Sequence, residues 1–238
     1  MTIIEPAKPN INKKNILKHI GCHQPGDLSY ATHKKMTKWE DKSTELMIPS
    51  LIYKKYKIKN LNGDLKLENN IWFNSNKIVR IMLDCNEIVC FLATIGNRID
   101  KKIIDLTSKR RSSEAYILDI VGSVAVESIV NNFHDRIKKR MQAEDKDITL
   151  RMSPGYCDWP LREQKKIFSL LDAEKIGVEL SASSLMQPRK TISGIFGIMP
   201  PSADCKKAAY NPCSDCRKEH CIARRTEFIY KNTTLTAS

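Results

Sequence analysis

The sequence lacks any run of about 20 mostly apolar residues, the length a helix needs to cross a bilayer. Its longest apolar stretch, Ile88–Ile95, is strand-sized and includes Thr94. The opening residues lack the charged-then-apolar order of a secretory leader and place Pro6 and Pro9 early. Export and membrane insertion are therefore not expected, and a cytoplasmic location is. No internal repeat or long low-complexity linker is visible, and strands and helices do not alternate regularly. The expected fold class is α+β, a mixed and largely antiparallel twisted sheet packed with helices. Helix-turn-helix, zinc-finger and RNA-recognition signatures are missing too.

Charge, by contrast, is plentiful and one-sided. Forty Lys and Arg against 27 Asp and Glu give a formal net charge of +13. Such a balance suits an acidic partner, whether nucleic acid, anionic lipid or acidic protein. A solvated basic surface accounts for it equally well, as does a general bias toward Asn, Ile and Lys. Without a recognition motif, nucleic-acid binding stays a side hypothesis, marked by salt-sensitive association.

Eight cysteines are present. Cys22, Cys85, Cys90 and Cys157 are scattered and are expected to be core packing. Cys205, Cys213, Cys216 and Cys221 crowd near the C-terminus, with His220 beside the last. In a reduced, intracellular chain, four such thiolates suffice for one tetrahedral zinc ion or one [4Fe–4S] cluster. Zinc would clasp a tail that lacks a core, and a cluster would relay electrons. Unmetallated, redox-active thiols are the third reading, and the spacing does not choose among them.

Periodicity places a short helix at Asn15–Ile20, stopped by Gly21, and a polar helix over 27–47 with Leu28, Ala31, Met36 and Trp39 inward. Residues 1–12 are expected to form a loose arm. Residues 52–73 predict strands and hairpins, Ile88–Ile95 a buried strand, and 98–107 a helix. The longest helix runs from about Ser113 to Met141, with Leu118, Val121, Ala125, Ile129, Phe133, Ile137 and Met141 in one stripe. Glu127 flanks that stripe on the line Ile120, Val124, Glu127, Asn131. A loop follows at 151–156. Pro160 opens a helix ended by Gly177, and Val178–Met186 and Thr191–Ile198 predict two strands.

Residues 151–194 are the most specific part of the sequence. R-x-x-P-G-Y appears as Arg151, Pro154, Gly155 and Tyr156, followed by Pro160. Next come Leu170, Leu171, Glu174 and Lys175, then Ser183, Met186 and Pro188, then Ser193 and Gly194. This ordered series resembles the activation domain of vitamin B12-dependent methionine synthase. The upstream helix, with Glu127, His134 and Arg136, is similar as well. The resemblance spans roughly residues 115–198, is weaker from Asn15 on, and stops before the cysteine cluster. It implies a domain over 13–198 and a cysteine-rich tail over 199–238.

The same resemblance implies binding of S-adenosylmethionine and closure over a corrinoid (cobalamin) carried by another module. There an electron from a flavodoxin-type donor and a methyl from S-adenosylmethionine return inactive Co(II) to methylcobalamin. The loop's chemistry suits that ligand. Arg151 offers a two-pronged contact to a carboxylate. Gly155 permits close backbone approach, Ser153 a backbone contact, and Tyr156 an aromatic face to the sulfonium. Glu127 can pair with the ammonium or the ribose. Taken alone, the loop reads first as a structural turn with Tyr156 as a core plug; the ordered series around it reverses that preference in favour of the ligand.

Asp145 stands where the family has an acidic residue six positions before the Arg, and is one methylene shorter. The family's N-terminal acidic ligand has no counterpart. Its aromatic pair after the final strand is replaced by Pro200, Pro201 and Ser202. A D-x-H-x-x-G signature of a B12 module is also missing. The expectation is a stand-alone accessory protein acting in trans. Its partners would be a corrinoid-binding protein or split methionine synthase and a flavodoxin- or ferredoxin-type donor. The alternative is a non-catalytic corrinoid-protein partner or iron–sulfur redox module that keeps the fold without using S-adenosylmethionine.

Overall fold

The structure, a computed structural model, describes residues 2–22, 26, 28–201, 210–214, 216 and 219. In chain order it holds strands β1 (Ile3–Pro6), β2 (Ser50–Asn60), β3 (Leu65–Leu67), β4 (Trp72–Phe73), β5 (Glu87–Thr94), β6 (Asp147–Ile148), β7 (Glu179–Leu180), β8 (Met186–Gln187) and β9 (Thr191–Met199). The helices are α1 (Lys13–Ile20), α2 (Tyr30–Ser43), α3 (Asn76–Met82), α4 (Arg98–Ser108), α5 (Ser112–Gln142) and α6 (Gln164–Leu170). Among the described residues, no helix is long and apolar enough to cross a membrane.

All residues of β5 after Glu87 are buried. Because side chains alternate along a strand, Val89, Phe91 and Ala93 join one apolar cluster and Ile88, Cys90 and Leu92 the other. Both faces therefore need a cover. Helices α1, α2, α4 and α5 supply one, through Ile16, Met36, Trp39, Ile99 and the stripe of α5. Helices α3 and α6 supply the other, through Ile78, Met82, Ile167 and Leu170. The sheet order is β4-β3-β2-β5-β9-β6, with β1 also against β2. Every pair is antiparallel, and β7 and β8 form a separate ribbon.

The fold class is the α+β arrangement that the sequence predicts. Helices α1, α2, α4 and α5 and strands β5 and β9 lie where periodicity places them. Several details differ. Ile3–Pro6, inside the expected loose arm, pairs with β2, and Glu5 is tied to Arg136 and to the Tyr53 hydroxyl. Residues 76–82 form a helix for which no element was predicted; Ser75 Oγ caps it by accepting from Ile78 N at 3.1 Å. The helix expected after Pro160 is divided. Leu171 turns extended (φ −128°), so α6 stops at Leu170 and a short 3-10 turn continues to Gly177. The strand expected over 178–186 folds back at its serines. Ser181 N bonds Leu185 O and Ser181 Oγ accepts from Leu185 N, leaving two-residue strands on either side.

A buried carboxylate pins α2 to the start of α5. Glu114 accepts from Lys38 Nζ at 2.8 Å, Trp39 Nε1 at 3.0 Å and Arg111 Nη2 at 2.6 Å. Burial works to raise the Glu114 pKa. The hydrogen bonds from Lys38 and Arg111, with the Lys38 charge and Trp39, outweigh it and hold the carboxyl at about 2, below its ordinary 4.5. A carboxyl depressed by folding stabilises the fold above its unfolded pKa, and that contribution fades as pH falls through the folded one. Glu114→Gln is expected to cost about 1.5–3 kcal/mol at neutral pH in urea unfolding. The gap between variant and parent should narrow as pH falls from 4.5 toward 2.

Candidate functional site

Residues three and four apart share a helix face, so Glu127, Asn131 and His134 line one side of α5. His134 Nε2 lies 2.9 Å from Thr149 O, which fixes that nitrogen as the donor because a carbonyl only accepts. The imidazole stands edge-on to Phe196 of β9, 4.9 Å between centroids. Thr149 is also held by β9: its N–H donates to Gly197 O, and its hydroxyl accepts from Gly197 N. Three residues on, Met152 exchanges backbone hydrogen bonds with Ile195 at 2.8 and 2.9 Å. The segment before the loop is thus clamped between α5 and β9.

That clamp sets Arg151 against α5. Its Nη2 lies 2.5 Å from Glu127 Oε2 and 3.2 Å from Asn131 Oδ1. The Arg151 side chain is 16% exposed and that of Glu127 42%, so the pair sits at the rim of the fold with its acidic half facing outward. Gly194 makes the approach possible. A Cβ there would stand 2.4 Å from Met152 O and 3.0 Å from Ser153 Oγ. No side chain fits between β9 and the loop.

Beyond Ser153 the chain turns outward. Gly155 takes φ +89°, the left-handed region open to glycine, and its N–H donates to Trp159 O at 2.8 Å. Trp159 N returns a bond to Tyr156 O, and the Trp159 ring is buried edge-on to Phe73 at 5.3 Å. The base of the loop is therefore anchored in the second core. Gly155, Tyr156 (48% exposed) and Cys157 are presented to solvent. An exposed aromatic five residues after a rim arginine that pairs with a carboxylate offers groups that suit a zwitterion with an attached cationic or planar group.

The structure brings Arg151 and Glu127 into contact and strings Ser153, Gly155 and Tyr156 along the same loop. Asp145 is not drawn in. It ends the turn after α5 with φ +56°, exposed, and none of its described hydrogen bonds reaches Arg151 or Glu127. Asn131 also accepts from Arg151, a contact that sequence reasoning did not single out; its signal is its place one turn after Glu127. Of the cysteines, burial, with the Asp84 charge adding, pushes the Cys85 thiol up to about 12, and burial raises that of Cys90. Both are core residues, as expected. Cys205 and Cys221 lie outside the described residues, while Cys213 and Cys216 are half-buried. Among the described residues, no group of three or more His, Cys, Asp or Glu is arranged to hold a metal ion.

An antiparallel sheet covered on both faces, with a clamped Arg-x-x-Pro-Gly-Tyr loop against its longest helix, defines an α+β domain with a rim site. A crystal structure of the MetH reactivation domain bound to AdoHcy has a similar fold, with a TM-score of 0.63 at 14% identity. The similarity covers 85% of this chain and 79% of that one. A comparison with curated protein sequences yields no match. Residues 82–219, more than half of the sequence, match the family described as vitamin B12 dependent methionine synthase, activation domain, and the chain belongs to that family.

Gly194→Ala is expected to destabilise the protein by about 1–3 kcal/mol in urea unfolding, because backbone rather than a flexible side chain must yield. A substitution without that cost would mean that the loop does not press on β9 as described.

Proposed function

We propose that this chain binds S-adenosylmethionine between the Arg151–Tyr156 loop and the Glu127–Asn131 face of α5, and supports reductive methylation of a Co(II) corrinoid on a partner protein. The contact between Arg151 and Glu127 carries the reading. An amino-acid zwitterion has the same two charges. Its carboxylate takes the place of Glu127 on Arg151, its ammonium takes the place of Arg151 on Glu127, and the opened pair leaves no charge unmatched. Gly155 and Ser153 offer backbone contacts, and Tyr156 faces the sulfonium. Asp145 is left out of the arrangement.

In the chemistry this supports, one electron takes Co(II) to Co(I). The Co(I) lone pair attacks the sulfonium methyl, and the carbon–sulfur bond breaks. S-adenosylhomocysteine leaves and the cobalt becomes methyl-Co(III). The electron comes from a flavodoxin- or ferredoxin-type donor. The net charge of +13 favours association with such an acidic partner. The domain over 13–198 holds the ligand, and the tail over 199–238 holds a [4Fe–4S] cluster or zinc through Cys205, Cys213, Cys216 and Cys221. The protein works in the cytoplasm in this reading, acting in trans on a corrinoid-binding protein or a split methionine synthase.

The test is calorimetric titration of the anaerobically purified full chain with S-adenosylmethionine. Saturable binding is expected, weakened about 10–100-fold by Arg151→Ala, since a hydrogen-bonded charge contributes about 1.5–3 kcal/mol. Decarboxylated S-adenosylmethionine should bind the parent protein more weakly by a similar factor and be nearly insensitive to Arg151→Ala. No binding by the parent protein, or equal binding by the variant, would sink the reading.

A further inference from the structure

The first turn of α3 touches both the Arg-x-x-Pro-Gly-Tyr loop and the tail. Cys157, expected among the core cysteines, is instead exposed at the outer end of the loop. The residue after it ties the loop down. Asp158 Oδ1 accepts from Ser75 Oγ at 2.5 Å, and Oδ2 accepts from Lys77 N at 3.1 Å. Ser75 Oγ in turn accepts from Ile78 N at 3.1 Å. Between them, Asp158 and Ser75 satisfy two N–H groups that the start of a helix cannot bond within itself. The loop is also closed on itself, because Gly155 N donates to Trp159 O and Trp159 N to Tyr156 O. A shift of Asp158 is therefore passed on to Gly155 and Tyr156.

The tail holds the same turn from the other side. Lys77 Nζ donates to Pro212 O at 3.2 Å and to the Tyr210 hydroxyl at 3.4 Å. One turn on, the Arg80 guanidinium lies 4.1 Å over the Tyr210 ring, a cation–π contact. Tyr210 packs against the second core, and Pro212 is buried. Asn211 keeps the segment in shape: its Oδ1 accepts from Cys213 N and its carbonyl from Ser214 N, each at 3.0 Å. Helix α3 has only seven residues, too few to persist alone in water. Ile78, Ile81 and Met82 secure its later part in the core. The first turn, where Asn76 is exposed and Lys77 half-buried, leans on Asp158 and on the tail. Two segments that order the same turn lower each other's cost of ordering.

We propose that Asp158 is a positioning residue for the ligand loop, and that the tail, docked on α3 through Tyr210 and Pro212, braces that loop from behind. The proposal deepens the S-adenosylmethionine reading above, and its functional half rests on that reading. The tail acts without touching the ligand: it keeps Ser75 Oγ and the Lys77 N–H where Asp158 meets them, and Asp158 keeps Gly155 and Tyr156 in place beside Arg151. The affinity of the rim site then depends on whether the tail is docked. By reciprocity, a bound ligand tightens the tail by the same factor.

The experiment compares the full chain, reduced and anaerobic, with Asp158→Ala, Tyr210→Ala and Tyr210→Phe. Glu114→Gln serves as a variant weakened far from the loop in sequence. Amide hydrogen exchange over residues 153–159 is followed by mass spectrometry without ligand, and S-adenosylmethionine is then titrated by calorimetry. Exchange in the loop is expected to quicken in both alanine variants, and their affinity to fall about 5–50-fold, an ordinary coupling between sites. Tyr210→Phe keeps the ring under Arg80 and should behave as the parent. Glu114→Gln should melt earlier yet bind with parental affinity, because lower stability reduces the number of competent molecules and not the affinity of each. In the parent, S-adenosylmethionine should slow exchange over 210–214, and in Asp158→Ala it should not. Unchanged loop exchange in Tyr210→Ala would overturn the brace. Faster exchange with unchanged affinity would overturn its role at the site. If the parent binds no S-adenosylmethionine, the reading of the ligand fails, while loop exchange still decides the brace.

Discussion

Strand β5 buries seven successive side chains, and much of the architecture follows from that demand. A strand apolar on both faces has to lie at the centre of a sheet with helices above and below, even though its neighbours run antiparallel to it. Four helices close one face and two the other, and the longest, α5, lies across the face that carries Phe91 and Phe196. From there its side line of Glu127, Asn131 and His134 reaches the segment that runs beside β9. The site is thus a by-product of how the core is closed: His134 secures Thr149, and two residues later Arg151 meets Glu127.

Most of this was legible in the sequence wherever a pattern repeats over several turns or strand pairs. The stripe of α5, the apolar run of β5 and the Gly21 stop of α1 are periodic or positional signals, and each element formed at its place. Short elements were not legible. Helix α3 has seven residues and depends on the Ser75 cap and on contacts with Asp158, 83 positions away. The division after Leu170 depends on one extended residue. Ile3–Pro6 is ordered by pairing with β2, a partner that local sequence does not name. Within the site, the motif identified the loop, but only the fold showed that Arg151 and Glu127, 24 positions apart, are in contact.

The cysteines teach the same point from the other side. Spacing grouped Cys213 and Cys216 with the tail and set Cys157 apart as a single residue. The structure exposes Cys157 on the loop while it buries Cys85 and Cys90 in the second core, so residues that spacing treats alike have different surroundings.

The strand order ends in β4 on one side and β6 on the other, and each is only two residues long. A short terminal strand exposes few unpaired backbone groups, so a foreign strand finds little to lengthen. Strand β1, at four residues, is an edge as well, since it pairs with β2, and it ends in Pro6, which has no backbone N–H to offer. The sheet therefore gives a stray chain little to extend.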